Sequence, residues 1–291
     1  MLWAANKTML NKAYVEITNQ CNLSCAFCPK TKRAPGRMTA ESFARAAEAL
    51  RAHVRFLYLH VMGEPLSHPE LSEILRIAEE KGFRVCITTN GTLLGARGGI
   101  LLEHAPVLHK VSISLHALEG SGAPLHMEQY LSAVWDFCTA ARQRGVYCAL
   151  RLWNEGGAES RNGEILRFLE EKTGVDPETL PRTRSRSRVL GENLFLEMEE
   201  MFSWPDMEGA ETGAQFCFGL RDQIGVLCDG TVVPCCLDHE GDVPLGNLFE
   251  EPLEEILNSS RARAIYDGFS NRAPAEALCR RCGFATRFNK G

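Results

Sequence analysis

Strand and helix patterns alternate along the first two thirds of the chain, and this alternation constrains the fold more than any other feature. Helical spacing is clearest where Thr39 caps one helix and Gly82 closes another, and further helices are expected near 128–144 and 163–172. Between them lie six segments rich in β-branched and apolar residues, at 13–18, 56–62, 85–89, 110–115, 146–153 and about 189–196. Strands separated by helices pair in parallel through right-handed crossovers, so we predict an α/β fold with a partial, TIM-like (β/α)6 barrel.

The pattern changes after the sixth unit. A turn signal at Asp229-Gly230 lies between two short apolar segments and predicts a hairpin, and one helix is expected near 252–266. We therefore expect two domains, the barrel over residues 1–205 and a small C-terminal α+β domain over residues 206–291.

Charge and hydropathy argue against some partners. The net charge is −5 and the pI is near 6.0, so the whole-molecule field gives no reason to expect adhesion to nucleic acid or to an anionic membrane. The N-terminal segment lacks the apolar core of a signal peptide, and no run of about 18 apolar residues predicts a transmembrane helix. We expect a soluble cytoplasmic protein, in which twelve cysteines indicate metal binding or catalysis rather than disulfides.

Three cysteines crowd the loop that follows the first strand. Cys21, Cys25 and Cys28 form a CxxxCxxC motif at the C-terminal end of that strand. Iron–sulfur clusters normally take four cysteine ligands, so three thiolates leave one iron open to a small chelating molecule. A zinc site is the alternative, although zinc loops usually combine one CxxC with a second pair of ligands.

The cysteine loop in its setting, VEITNQCNLSCAFCP, resembles the radical S-adenosylmethionine (SAM) superfamily. Gly63-Glu64-Pro65, after the second strand, resembles the GGE-like motif of that family, whose backbone and carboxylate receive the methionine amino group through a charge-assisted hydrogen bond. Phe27, which precedes the last cysteine of the loop, is assigned to the same cofactor site. The resemblance implies that the three thiolates hold a 4Fe-4S cluster, which reductively cleaves SAM to a 5′-deoxyadenosyl radical.

The fourth and fifth strands supply further candidates for cofactor binding. Ser112 and Ser114 share one face of the fourth strand, and His116 follows on that face. By resemblance, Ser114 is the candidate for the ribose hydroxyls, whereas His116 either contacts cofactor or substrate or is only structural. Arg151 and Asn154, at the end of the fifth strand, are candidates for the carboxylate or the adenine of the cofactor, because an arginine fork suits carboxylates.

Cysteines also gather in the C-terminal quarter. Cys217, Gly230 and Cys235 satisfy the pattern CX(9–15)GX(4)C, and a CxxC at Cys279 and Cys282 follows. These motifs resemble the SPASM and Twitch auxiliary-cluster domains. A full SPASM domain needs further cysteines after the last CxxC, so the chain resembles the one-cluster Twitch form, in which four thiolates close a second 4Fe-4S cluster.

Two alternatives stay open for this second group. Cys228 or Cys236 can replace Cys235 as a ligand, because both lie beside the pattern. The four thiolates also suit a zinc ion chemically. A cluster with four cysteine ligands cannot bind substrate directly, which favours a role in electron transfer or in structure.

The resemblance implies a radical SAM oxidoreductase or maturase that takes hydrogen from a carbon of a peptide or of a small molecule. The alternative is a non-catalytic iron–sulfur electron carrier or a zinc-stabilised binding module. The arginine run at 182–188 is either an anion site or a solvated basic loop. Four basic residues after the first cysteine loop are candidates for docking an acidic one-electron donor such as flavodoxin or ferredoxin: Lys30, Lys32, Arg33 and Arg37.

Overall fold

The computed structural model describes residues 10–121 and 126–289. Seven strands form its N-terminal part: β1 (Leu10–Val15), β2 (Val54–Tyr58), β3 (Arg84–Thr89), β4 (Leu108–Ser114), β5 (Tyr147–Glu155), β6 (Ser187–Gly191) and β7 (Leu194–Glu200). Six helices connect them: α1 (Ala40–Leu50), α2 (Leu71–Glu80), α3 (Leu94–Glu103), α4 (Ala117–Ser121), α5 (Met127–Arg142) and α6 (Asn162–Thr173). All of these strands except β6 pair in parallel, so the expected α/β partial barrel is confirmed.

Local signals explain where several helices begin and end. The side chain of Thr39 caps α1 by accepting a hydrogen bond of 3.1 Å from the Ser42 amide. The apolar face of α1, which includes Phe43 and Leu50, is fully buried against the sheet layer. Gly82 follows α2 with φ of +77°, a left-handed conformation that suits glycine at a helix end.

The sixth strand differs from the expectation. The segment predicted as one strand near 189–196 is a hairpin, in which β6 pairs antiparallel with β7 and only β7 continues the parallel barrel beside β5. The chain reverses at Asn193, whose φ of +54° is tolerated best by asparagine, aspartate and glycine. Helix α3 was not expected, because its sequence contains Gly95, Gly98 and Gly99, which lower helix propensity.

The C-terminal part continues the same sheet. It contains β8 (Gln223–Val226), β9 (Thr231–Val233), β10 (Gly246–Asn247), α7 (Leu253–Asn258), α8 (Ser260–Ser270) and α9 (Ala277–Arg280). The expected hairpin joins β8 to β9, and β8 also pairs in parallel with β1. The helix expected near 252–266 is two helices, because Ser259 ends α7 and caps α8. The division at residue 205 stays a prediction, since both parts share one sheet.

No helix within the described part of the chain is long and apolar enough to cross a membrane. The N-terminal segment that we interpreted as lacking a signal peptide includes residues 1–9, which lie outside the described residues.

Candidate active site

The first cysteine loop lies at one wall of a cavity of about 680 Å³. Cys21, Cys25 and Cys28 all line this cavity. The Cys28 amide donates to the Cys25 carbonyl at 3.3 Å, and the Cys25 thiol donates to the carbonyl of Ala117 at 3.4 Å. Burial, with the neighbouring Cys21 and Cys28 groups, raises the pKa of Cys25 to about 12. Three thiolates here repel one another, so bound iron cations would be needed to hold them deprotonated together.

The Gly63 turn passes directly against the strand end that leads into this loop. Gly63 has φ of +78°, and a Cβ placed on it would come within 2.3 Å of the Thr18 carbonyl oxygen and 2.8 Å of the Gln20 carbonyl oxygen. The Glu64 amide donates to the same Gln20 carbonyl at 2.9 Å. Glycine is therefore required here for two reasons, the backbone conformation and the close approach of a second backbone segment.

The Glu64 carboxylate is buried and lines the cavity. It accepts hydrogen bonds from the Leu66 amide at 2.9 Å, the Thr89 hydroxyl at 2.8 Å and the Asn90 amide at 2.8 Å. Burial raises its pKa, and these three donors oppose that effect. A carboxylate offers about four acceptor positions, so one remains for a ligand such as an ammonium group. Pro65 begins the short 3-10 turn after Glu64 and does not line the cavity.

The fourth strand brings two of its three candidates to the cavity. Ser114 and His116 line it, whereas Ser112 is buried deeper in the barrel and does not. The His116 ring packs against Phe27, with ring centroids 4.9 Å apart, and Phe27 also lines the cavity. Nδ1 of His116 lies 3.1 Å from the carbonyl oxygen of Arg151, so this histidine joins the cysteine loop to β5.

Arg151 also lines the cavity, but its charge is already paired inside the barrel. Its Nε donates to the Glu197 carboxylate at 2.9 Å, and its guanidinium lies over the Trp153 ring at 4.5 Å. Lys110 donates to the same carboxylate at 2.6 Å. Although burial raises the pKa of Glu197, Arg151 and Lys110 lower it more, so the net shift is downward. Two cations share one carboxylate, so this group of three side chains keeps a net positive charge, and Arg151 is its member at the cavity.

Asn154 does not reach the cavity. Its side-chain amide donates to the Ala158 carbonyl at 2.6 Å and to the Asn162 side chain at 2.9 Å, both after β5. The pairing of β5 with β7 shifts register between Leu152 and Glu155, so simple alternation does not describe this end of the strand. The assignment of Asn154 to cofactor binding stays a prediction.

The C-terminal cysteines line the same cavity. Cys217, Cys235, Cys279 and Cys282 all belong to its wall. The thiol of Cys235 interacts electrostatically with the other three and with Cys236, and burial is the main cause that raises its pKa. The structure thus brings together the four thiols that the spacing singled out.

The two neighbouring cysteines have other partners. Cys228 lies beside the Glu16 carboxylate, which accepts from its amide at 3.3 Å. Cys236 lines the cavity next to the Tyr14 hydroxyl, within hydrogen-bonding reach. Cys236 also interacts with Cys217 and Cys235, but only Cys235 interacts with all of Cys217, Cys279 and Cys282, so we favour Cys235 as their fourth member.

Within residues 10–121 and 126–289, no three His, Cys, Asp or Glu side chains lie close enough together to hold a single metal ion. The ligands of a cluster of several iron atoms lie farther apart than those of a single ion. The absence of a single-ion site therefore does not exclude such a cluster. The donor sets, three cysteines in one loop and four in the other group, fit iron–sulfur clusters.

Sequence reasoning missed most of the remaining cavity wall. Polar groups of β1, of β2 and of the residues just after β2 form one side, including Lys12, Tyr14, Tyr58 and His60. Apolar side chains near the second cysteine group form another: Trp153, Met201, Phe202, Trp204, Phe218, Phe284 and Phe288. The period-two alternation of β1 and β2 carried a signal for the polar set. Apart from Trp153, which lies in β5, the apolar set comes from segments outside the helices and strands that we predicted.

Two family models match the chain. The radical SAM superfamily matches residues 15–153, and the SPASM iron–sulfur cluster-binding domain matches residues 217–283. The protein therefore belongs to the radical SAM superfamily and carries a SPASM-type auxiliary-cluster domain. Its cofactors are accordingly SAM with a 4Fe-4S cluster and auxiliary iron–sulfur chemistry in the C-terminal part.

Individual relatives resemble the chain to different extents. The subtilosin biosynthesis protein AlbA of Bacillus subtilis strain 168 is 32% identical over 305 residues, covering 94% of this chain and 65% of AlbA. Three other curated relatives are matched over only 24%, 29% and 32% of their own lengths. The chain thus spans less than two thirds of each of these relatives.

Solved structures share the fold. BtrN, in complex with SAM (AdoMet) and 2-DOIA, superposes with a TM-score of 0.62 at 20% identity, covering 94% of this chain and 93% of BtrN. Streptococcus suis SuiB, bound to its precursor peptide SuiA, gives a TM-score of 0.62 at 17% identity, covering 95% of this chain and 70% of SuiB.

Proposed function

We propose that the protein reductively cleaves SAM and removes a hydrogen atom from a carbon of a substrate held between its two cysteine groups. The observation that carries this proposal is the single cavity, lined by both groups. When bound, SAM with its reduced cluster supplies a 5′-deoxyadenosyl radical. The protein contributes binding, orientation and exclusion of water.

The chain offers a residue for each part of the cofactor. Glu64 has one acceptor position for the methionine ammonium, and Ser114 offers a hydroxyl for the ribose. Phe27 and His116 form a packed wall beside the cysteine loop. Arg151 provides positive charge for the methionine carboxylate, although its Nε also donates to the Glu197 carboxylate.

A peptide is the substrate class that we favour. AlbA, whose name assigns it to the biosynthesis of a bacteriocin, matches 94% of this chain. SuiB, which has the same fold, is seen bound to a precursor peptide. The aromatic wall that includes Trp153, Phe202 and Trp204 suits an apolar side chain of such a peptide. Dehydrogenation of a small molecule is the second candidate. It is favoured by BtrN, whose structure holds 2-DOIA and whose fold matches this chain over 93% of the length of BtrN.

The electron donor is expected to dock near the first cysteine loop. Lys30, Lys32 and Arg37 are exposed there and suit an acidic flavodoxin or ferredoxin. Arg33, which we had included among the docking residues, is not available for docking, because its guanidinium is paired with the buried Glu16 carboxylate. A reducing compartment such as the cytoplasm would keep the twelve cysteines as thiols.

Anaerobic reconstitution tests the proposed activity. With dithionite and SAM, the enzyme should release 5′-deoxyadenosine and carry about eight iron atoms, as two four-iron clusters require. A Cys25→Ala variant should release none, whereas Cys148→Ala, a buried thiol that does not line the cavity, should behave like the wild type. A fully iron-loaded wild type that releases no 5′-deoxyadenosine would favour the electron-carrier alternative, and bound zinc in place of iron would favour the binding module.

A further inference from the structure

One cavity thiol remains outside both cysteine groups. Cys236 lines the cavity and lies beside the Tyr14 hydroxyl. Its side chain packs on a small apolar cluster of buried residues, and Cys28 of the first loop and Tyr14 pack on that same cluster: Val61, Met62, Leu227 and Val233. Cys236 also follows Cys235 in the chain. The thiol is therefore placed where the wall of the first cysteine loop meets the wall of the second group.

A second group on this wall is an unpaired ring nitrogen. Nδ1 of His60 is buried and has no hydrogen-bond partner among residues 10–121 and 126–289, although the residue lines the cavity. The His60 ring meets the Tyr14 ring edge-on, with centroids 5.4 Å apart. Burial, then the charges of Arg151 and Lys12, lowers the pKa of His60 to about 3, so the ring is neutral at pH 7. A buried polar nitrogen usually has a partner, which points to a ligand at this place.

The chemistry of the ligand follows from that neutral ring. A neutral imidazole has one donor and one acceptor nitrogen, and it gives no charge with which to attract an anion. A hydroxyl or an amide of the substrate satisfies Nδ1 in either tautomer. Such a group beside the Tyr14 ring would lie next to the thiol of Cys236.

We propose that Cys236 is the catalytic residue that returns a hydrogen atom to the substrate radical, while His60 hydrogen-bonds a hydroxyl or amide of the substrate beside it. This inference rests on the proposed function. A sulfur–hydrogen bond is weaker than most carbon–hydrogen bonds, so a thiol can give its hydrogen atom to a carbon radical.

Each step balances in atoms and electrons. The substrate carbon loses a hydrogen atom, which leaves in 5′-deoxyadenosine. The S–H bond of Cys236 then breaks and a new C–H bond forms, which leaves a thiyl radical. One electron from the low-potential donor that reduces the enzyme, or from dithionite in vitro, and one proton from water through the Tyr14 hydroxyl restore the thiol. The substrate keeps its oxidation state, so the reaction is an epimerisation or isomerisation rather than a dehydrogenation.

Thiol mapping tests the placement without measuring activity. The reconstituted, iron-loaded enzyme is treated anaerobically with iodoacetamide, and its peptides are analysed by mass spectrometry. We expect alkylation of Cys236 and protection of the four auxiliary ligands, Cys235 included. Protection of Cys236 with alkylation of Cys235 would make Cys236 a cluster ligand and overturn the proposal.

Isotope transfer tests the chemistry with SAM alone as the probe. In D2O with dithionite and no added substrate, wild-type 5′-deoxyadenosine should carry one deuterium taken from the exchangeable thiol. Cys236→Ser keeps the size of the residue and a hydroxyl near Tyr14, but an O–H bond is too strong to give its hydrogen, so the label should fall to the level of an H2O control.

A matched control separates this thiol from others in the barrel. Cys86 is buried beside Tyr58 and does not line the cavity, so Cys86→Ala should keep the label. Equal labelling in the wild type and in Cys236→Ser would overturn the donor role. An iron-loaded wild type that forms no 5′-deoxyadenosine would instead contradict the proposed function on which this inference rests.

Discussion

Arg33 and Glu16 form a two-pronged ion pair, with guanidinium nitrogens 2.7 and 2.8 Å from the two carboxylate oxygens. Glu16 is fully buried directly after β1, and Arg33 follows the first cysteine loop. The same carboxylate accepts from the amides of Met62 and Cys228, at 3.2 and 3.3 Å. One carboxylate therefore connects the first cysteine loop, the turn before Gly63 and the turn between β8 and β9.

Removing the arginine should destabilise the fold strongly. Arg33→Met leaves the buried Glu16 carboxylate without its cation, and such a loss costs about 3–5 kcal/mol. The free energy of unfolding, measured by denaturant titration, gives the change. Arg76→Met is the control, because its ion pairs with Glu73 and Glu80 are on the surface and should contribute little. Equal stability of Arg33→Met and the wild type would contradict the connecting role of this pair.

Gly63→Ala should abolish SAM cleavage. The added Cβ would lie 2.3 Å from the Thr18 carbonyl oxygen, so the turn and the cysteine loop must separate. Gly82→Ala is a matched control, since Gly82 has almost the same φ of +77° but no atom within 4 Å of an added Cβ. The control should lose only about 1–2 kcal/mol, from the left-handed backbone, and keep its activity. Similar 5′-deoxyadenosine yields from both variants would show that the close approach is unimportant.

Glu64→Gln should weaken SAM binding. The substitution removes the negative charge available to the methionine ammonium. It also replaces one acceptor oxygen by an NH2 group, which would face the Thr89 hydroxyl or the Asn90 amide, both of them donors to Glu64. We expect at least a tenfold rise in the dissociation constant, about 1.4 kcal/mol, measured by calorimetry on the iron-loaded enzyme. An unchanged affinity, with the iron content retained, would exclude Glu64 as a receptor for the ammonium group.

The iron content of two variants should identify the fourth auxiliary ligand. Cys235→Ala removes a thiol that interacts electrostatically with Cys217, Cys279 and Cys282, so iron should fall from about eight to about four atoms per chain. Cys228→Ala removes a thiol that lies beside Glu16 and should leave the iron content unchanged. The reverse result would transfer the ligand role to Cys228.

Local patterns in the sequence predicted the parts of the fold that depend on neighbouring residues. The β3 segment, the Thr39 cap and the turn at Gly230 follow from β-branching, capping and a left-handed glycine. The pairing of β8 with β1 joins residues about 210 positions apart, and no local pattern specifies such a pairing.

The sequence predicted the candidate site, like the fold, only where short motifs determine it. The spacing of the cysteines identified both thiol groups, because ligands of one cluster must come from a few short motifs. The cofactor role of Asn154 stays a prediction, because its side chain is bonded to the segment after β5 and the register of β5 shifts between Leu152 and Glu155. The pairing of Arg33 with Glu16 depends on how two loops pack, so the sequence alone suggested a free surface charge instead.

The central claim is that SAM binds an open iron of the cluster at the first cysteine loop. Electron paramagnetic resonance spectra of the dithionite-reduced enzyme, recorded before and after adding SAM, test this claim most directly. If Cys21, Cys25 and Cys28 leave one iron open, SAM should bind that iron and change the spectrum of this cluster while the auxiliary signal stays the same. A spectrum that does not respond to SAM, in protein with a full complement of iron, would contradict the account.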